Sequence, residues 1–142
     1  MRKGLLLLST LVFAVIITGC SGKTRLTCTQ KVQTVDVKMF ADFKGDELTY
    51  LGLQYDMDLS EYNDTQVDLI TKQDMCSTVK SSMASYSNAF TNCKQNVSNK
   101  NLKITADFDL DKLTGDLSKK TNVEEAKTQL EKQGYSCTTS NK

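Results

Sequence analysis

The chain contains no histidine, no proline and no tryptophan. Without histidine the commonest general base and nucleophile activator is missing, so Ser-His and Cys-His pairs are excluded outright. No GxSxG, P-loop or GxGxxG motif occurs either. Catalysis would have to run on carboxylates, lysines or tyrosines alone, and the reading is a protein that is not an enzyme and needs no cofactor. Without proline, turns depend on Gly, Asn, Asp and Ser. No Cys-x-x-Cys pair is present, and no histidine could complete a mixed zinc site, so no metal is expected.

Strong net charge is also absent. Over all 142 residues, 18 Lys and Arg face 17 Asp and Glu. Arg2 and Lys3 lie in the first 19 residues, which hold no acid, so the remainder carries 16 bases against 17 acids. A field this weak does not call for a nucleic-acid partner.

What is present begins at the N-terminus. Met1-Arg2-Lys3 is a short positive segment, and Gly4 to Ile17 follows without a charge. This run is short for a membrane span and has the flanks of a signal peptide. It ends Ile17-Thr18-Gly19-Cys20, which resembles the lipobox recognised by lipoprotein signal peptidase. The resemblance implies cleavage before Cys20 and acylation of its thiol, with a third chain on the freed amine an open alternative. At about 0.8 kcal/mol per buried methylene, two or three chains anchor stably where one does not. The expected organisation is a signal peptide (1–19), a lipid-anchored tether (20–25) and one α+β domain (26–142). Five or six tether residues reach at most ~20 Å, which holds the domain against the outer face of a membrane.

Four further cysteines remain: Cys28, Cys76, Cys93 and Cys137. An even number in an exported small domain argues for two disulfides. Three pairings are possible, and the one expected joins Cys76 to Cys93 and Cys28 to Cys137. Cys76 lies on a helical stripe, and Cys93 follows just after the chain turns back; an extended return brings the sulfurs level.

Residues 35–42 and 49–59 alternate apolar with polar around Lys44-Gly45-Asp46, which predicts a hairpin. Gathering its apolar side chains on one face favours Val35, Val37 and Met39 opposite Tyr55, Leu53 and Leu51. Leu69, Cys76, Val79, Met83, Tyr86 and Phe90 form a stripe that predicts a single helix over about 65–88. A second hairpin turns at Ser98-Asn99-Lys100-Asn101. Thr121 and Glu124 read as a capping box opening a helix over about 122–133, stopped by Gly134. The predicted class is an α+β two-layer sandwich, a mainly antiparallel sheet with two helices on one face.

Beyond Cys20, the candidate sites are surfaces. In the favoured register Phe40 faces Tyr50 across the hairpin, away from the core. With Leu48 beside them they form either a stiffening aromatic pair or an exposed apolar partner surface. Asp107, Asp109 and Asp111 alternate with Phe108 and Leu110, and Asp56 and Asp58 with Tyr55, Met57 and Leu59. They read as the wet side of strands, since the EF-hand pattern would need Gly and Glu where Lys112 and Ser118 stand. A pocket between sheet and helix would be lined by Leu53, Tyr55, Val79 and Met83.

The lipobox, alternating hairpin, helix, second hairpin and a closing Glu125-Ala126-Lys127, Leu130-Glu131 and Gly134-Tyr135 together resemble the YehR-like family of small lipoproteins. That resemblance implies a two-layer α/β domain outside the cytoplasm, with no assigned activity and no catalytic residues; the four additional cysteines are not part of it. The expected role is that of a membrane-held binding or envelope-associated protein for a protein or small-molecule partner. The alternatives are an accessory subunit of a membrane complex and a thiol-redox protein.

Overall fold

Each run with a period of two folds as a strand. The computed structural model, which describes residues 22–114 and 117–142, joins them in one antiparallel sheet. In chain order the strands are β1 (Lys23–Val32), β2 (Val35–Lys44), β3 (Glu47–Asp58), β4 (Phe90–Ser98), β5 (Asn101–Phe108) and β6 (Ser136–Asn141). They lie side by side as β4-β5-β3-β2-β1-β6. Helices α1 (Asp64–Lys72), α2 (Met75–Ser82) and α3 (Val123–Lys132) pack on one face, which makes an α+β protein. β1 starts at Lys23, so residues 23–25 of the expected tether are strand.

The β2–β3 hairpin differs from the predicted register by two positions. Val37 pairs with Tyr55, Met39 with Leu53 and Ala41 with Leu51. The turn itself is the two-residue Gly45-Asp46 loop, pairing Lys44 with Glu47, with Gly45 at φ +60°. Thr49 absorbs the mismatch as an extra residue in β3 opposite the step from Asp42 to Phe43. Such a bulge resets the alternation, so Leu48 and Leu51, an odd three apart, both point to the core. β4 repeats the device: an irregularity between Thr91 and Lys94, with Asn92 at φ +51°, turns both Phe90 and Cys93 toward the helices.

The single helix predicted over 65–88 is instead broken, so that among the described residues three α-helices stand where two were expected. Gln73 is extended (φ −76°, ψ 145°), and Asp74 caps α2 by accepting from the Ser77 amide at 3.0 Å. Gln95 of β4 fills the break. Its Nε2 donates to the Gln73 carbonyl at 2.9 Å and the Thr71 carbonyl at 3.3 Å, while its Oε1 accepts from the Met75 amide at 2.9 Å. One amide side chain thus satisfies the end of one helix and the start of the next, the groups a helix leaves unpaired. After α2 a 3-10 turn (Ala84–Tyr86) leads into β4 at Phe90.

α3 starts one residue later than predicted. Asn122, not Thr121, caps it in a capping box with Glu125. Thr121 is buried and accepts from the Ser118 amide at 2.8 Å, so its hydroxyl is already used by the preceding turn. Gly134, at φ +94°, ends the helix as expected.

Both expected disulfides form. Cys28 and Cys137 are directly opposite on β1 and β6, and Cys76–Cys93 ties the first turn of α2 to β4. Among the described residues no helix is long and apolar enough to cross a membrane.

Candidate functional site

The helices cover the sheet unevenly. α3 packs on β1 and β6 at one side, and α2 on β4 at the other. Between them the far ends of the middle strands are left open, and an apolar groove of about 450 Å³ runs there. Its floor is Val35 and Val37 of β2, Tyr55 and Met57 of β3, and Leu102 and Ile104 of β5. Met75 and Val79 of α2 form one wall and Tyr135 the other, with Gln30, Val32 and Gln33 at the rim. Val32 is 49% exposed, a large aliphatic side chain left in water at the mouth.

None of the lining side chains is an acid, a lysine or an arginine. Burial pushes the Tyr55 phenol above its ordinary pKa, and the neighbouring Tyr135 phenol adds to the shift. Burial does the same to Tyr135. Both hydroxyls therefore stay neutral at physiological pH, offering one donor and one acceptor each. Apolar walls with a few polar groups, at this size, are the usual construction of a small-ligand site.

Each wall is held covalently. Cys76 follows Met75 directly, and Cys137 lies two residues after Tyr135. Gln95 adds its three hydrogen bonds at the foot of α2. A second cavity of about 220 Å³ adjoins it, with Met39 and Leu53 as floor, Met83 at the end of α2 as one wall and Leu130 of α3 as the other. Tyr135 lines both spaces. The four residues expected to share one pocket are thus divided: Tyr55 and Val79 line the outer groove, Leu53 and Met83 the inner cavity.

Among the described residues the opposite face of the sheet carries no helix. Phe40 stands opposite Gly52, and Tyr50 opposite Asp42, so the two rings are diagonal neighbours rather than the direct pair expected. Arg25 joins them, with its guanidinium carbon 5.5 Å from the Phe40 centroid and 6.0 Å from that of Tyr50. Tyr50 lies across Gly52 and donates to Asp107 at 2.8 Å; a Cβ at position 52 would collide with its hydroxyl. Burial first, then the hydrogen bond to Asp107, pushes the Tyr50 phenol up to about 12. Leu48 does not belong to this surface. It is 3% exposed and faces the core because the bulge at Thr49 reverses its side.

Arg25 also makes a two-pronged ion pair with Asp42, Nε to Oδ1 at 2.6 Å and Nη2 to Oδ2 at 2.9 Å. Lys142 reaches the same carboxylate at 2.6 Å, and these partners hold Asp42 below the ordinary carboxylate pKa. The remaining acids are scattered. Asp109 caps a 3-10 turn, Asp111 pairs with Lys119, and Asp56 is 3.9 Å from Lys103. Among the described residues no group of three or more potential ligands could hold a metal ion. Cys20 and the signal segment lie outside the described residues.

The pocket was expected between sheet and helix, but the helix break was not, because it depends on Gln95, which looks like any polar strand residue. Asp74, a favoured N-cap four residues past Ile70, was the local signal that a new helix starts there.

No family model matches the chain, and no curated protein matches it. A solved structure described as "NMR structure of the protein from Streptococcus pneumoniae TIGR4" is similar at 16% identity, with a TM-score of 0.40, over 94% of this chain and 82% of that one. Likeness at this level leaves function to be read from the site itself.

Proposed function

We propose that the protein is a non-catalytic lipoprotein on the extracytoplasmic side of the cell membrane, anchored through acylated Cys20, which binds an apolar ligand in the groove between α2 and Tyr135. The groove is the observation that supports this: an uncharged, open space of about 450 Å³ whose walls are fastened by two disulfides. Its placement fits an anchor at Cys20. Lys23 and Val32 are the two ends of β1, and nine steps of strand separate them by ~30 Å. The anchor is at the Lys23 end and the groove mouth at the Val32 end, so an anchored domain presents the mouth away from its own attachment point.

The lipobox and the resemblance to YehR-like lipoproteins carry the anchoring half of the reading. A radiolabelled palmitate experiment tests it: label in the wild type and none in Cys20→Ala is expected, and an unlabelled wild type overturns it. The binding half is tested on the mature acylated protein in phospholipid nanodiscs, using a diazirine-bearing adamantane as photoreactive probe. Peptide mass spectrometry should place the label on Met75, Val79 or Tyr135. Label spread evenly over the surface would remove the groove as a ligand site.

A further inference from the structure

The outer groove and the inner cavity adjoin along the direction of the strands. Val37 lines the first and Met39 the second; Tyr55 lines the first and Leu53 the second. Each pair is two residues apart on the same face of its strand, and Val79 of α2 and Met83, the residue that caps its C-terminus, repeat the relation one turn apart. From Val35 at the outer end to Leu51, paired with Ala41, at the inner end is six strand steps, or ~20 Å. The space is therefore elongated along the strands, running between the α2 side and the Leu130, Gln133 and Tyr135 side, and its inner part is lined chiefly by apolar side chains.

Resting on the binding reading above, we infer that groove and cavity together hold a single linear acyl chain, with the polar end of the amphiphile at the Gln30 and Gln33 rim. A lipid chain spans about half of the ~30 Å hydrocarbon core of a bilayer, which the available length accommodates. Shape and charge both select it. A bulky rigid ligand fits the outer groove but not the inner cavity, and an ionised group finds no counter-charge among the lining side chains. Gln30 Nε2 already reaches the Gln133 carbonyl, at 3.4 Å, so the rim joins β1 to the end of α3 above Tyr135. Tyr135, shared by both spaces, stands where the chain passes from one to the other.

The experiment uses the mature protein in nanodiscs and palmitoyl monoglycerides carrying a diazirine either next to the ester or at the chain terminus. The ester-proximal probe should label Val32, Gln33 or Val35, and the terminal probe Leu53 or Met83. In competition, octanoyl, lauroyl and palmitoyl monoglycerides, compared at their free aqueous concentrations, should gain about fourfold in affinity per methylene until the inner cavity is filled. Met83→Trp should reduce terminal labelling about fifteenfold, the equivalent of two lost methylenes, and leave ester-proximal labelling intact. Val79→Trp should block both, and Val35→Trp at the rim replaces it if that variant does not fold. Equal labelling of the rim by both probes, with no dependence on chain length, overturns the acyl-chain inference while adamantane labelling of the groove upholds the broader reading. Absence of all groove labelling ends both.

Discussion

The two halves of the helix layer are built to different standards. Near the Lys23 end the core is closed: Leu26, Cys28, Phe43 and Leu51 are at most 1% exposed, and Ala126, Leu130 and Leu117 close over them. Near the Val32 end, α1 has no buried residue and α2 has only Val79. The first half secures the fold through apolar burial. The second buries only Val79 fully, with Val67, Ile70 and Met75 partly covered, and adds one disulfide and one glutamine; that economy leaves room for a ligand. A chain of this size forms one core, so space for a site is opened where packing contributes least.

The largest test of the comparison sets Phe43→Ala against Val79→Ala. The first empties a fully buried site and should cost about 3–5 kcal/mol in chemical denaturation. The second should cost about 1 kcal/mol, because the groove already lies beside it. Equal losses would mean that the groove half is as tightly packed as the other.

The disulfides sharpen the same contrast. Cys28–Cys137 closes a loop of 109 residues, and replacing both by serine should cost about 5 kcal/mol; Cys76–Cys93 closes 17 residues and should cost about 3 kcal/mol. The distribution matters more than the totals. Hydrogen exchange in the Cys76→Ser/Cys93→Ser protein should rise in residues 64–82 while β1, β2 and β3 keep their protection. Uniform acceleration across the sheet would show that α1 and α2 are part of the main cooperative unit.

Asp42 tests the closed half by pH. Its carboxylate is held below the usual range first by the Arg25 hydrogen bonds and then by Lys142. A carboxylate with a lowered folded pKa stabilises the protein fully above its unfolded value, near 3.9, and that contribution disappears as pH falls through the folded value. Asp42→Asn should lower stability by about 2 kcal/mol at neutral pH and flatten the decline between pH ~4 and the acid limit. An unchanged acid limb would assign the decline to other carboxylates. Loss of the ion pairs should also free the chain end, since Lys142 donates its amide to Lys23 at 2.8 Å.

Gln95→Ala removes three hydrogen bonds from the break between α1 and α2. The partly buried amide and carbonyls left behind should cost about 1–2 kcal/mol, offset in part by water reaching the exposed side. Adamantane labelling of the groove should fall with it if the wall loses its position. Retained labelling with lowered stability would show that the disulfide alone fixes α2.

How much of this was legible varies with the range of the interaction. Strands were readable because alternation is local, and the second hairpin turn, with Asn99 and Lys100 both at positive φ, announced itself by residue type. The Cys76–Cys93 disulfide was expected from the reach of an extended return against a helical stripe, and Cys28–Cys137 was the pair that remained. The register of β2 and β3 was not, since Thr49 carries no mark of a bulge, and only the odd spacing of Leu48 and Leu51 hinted at it. Leu48 was misplaced for that reason. The groove was foreseen as a pocket between sheet and helix, but its division into two spaces depends on where α2 begins, which Gln95 decides from twenty residues away.

Leu69 gives the smallest effect and the most direct check on the broken helix. It opened the stripe that predicted one helix to residue 88, and in a continuous helix it would face the sheet together with Cys76. With the break at Gln73 the two residues lie on separate helices, and Leu69 is 57% exposed. Leu69→Lys should therefore change stability by no more than about 0.5 kcal/mol, as for other surface substitutions. The neighbouring Ile70 packs against the core, so Ile70→Lys serves as the contrast and should cost distinctly more. If the two variants were equally destabilised, α1 would have to sit closer to the sheet than its exposed face indicates, and the open half of the molecule would be narrower than the groove requires.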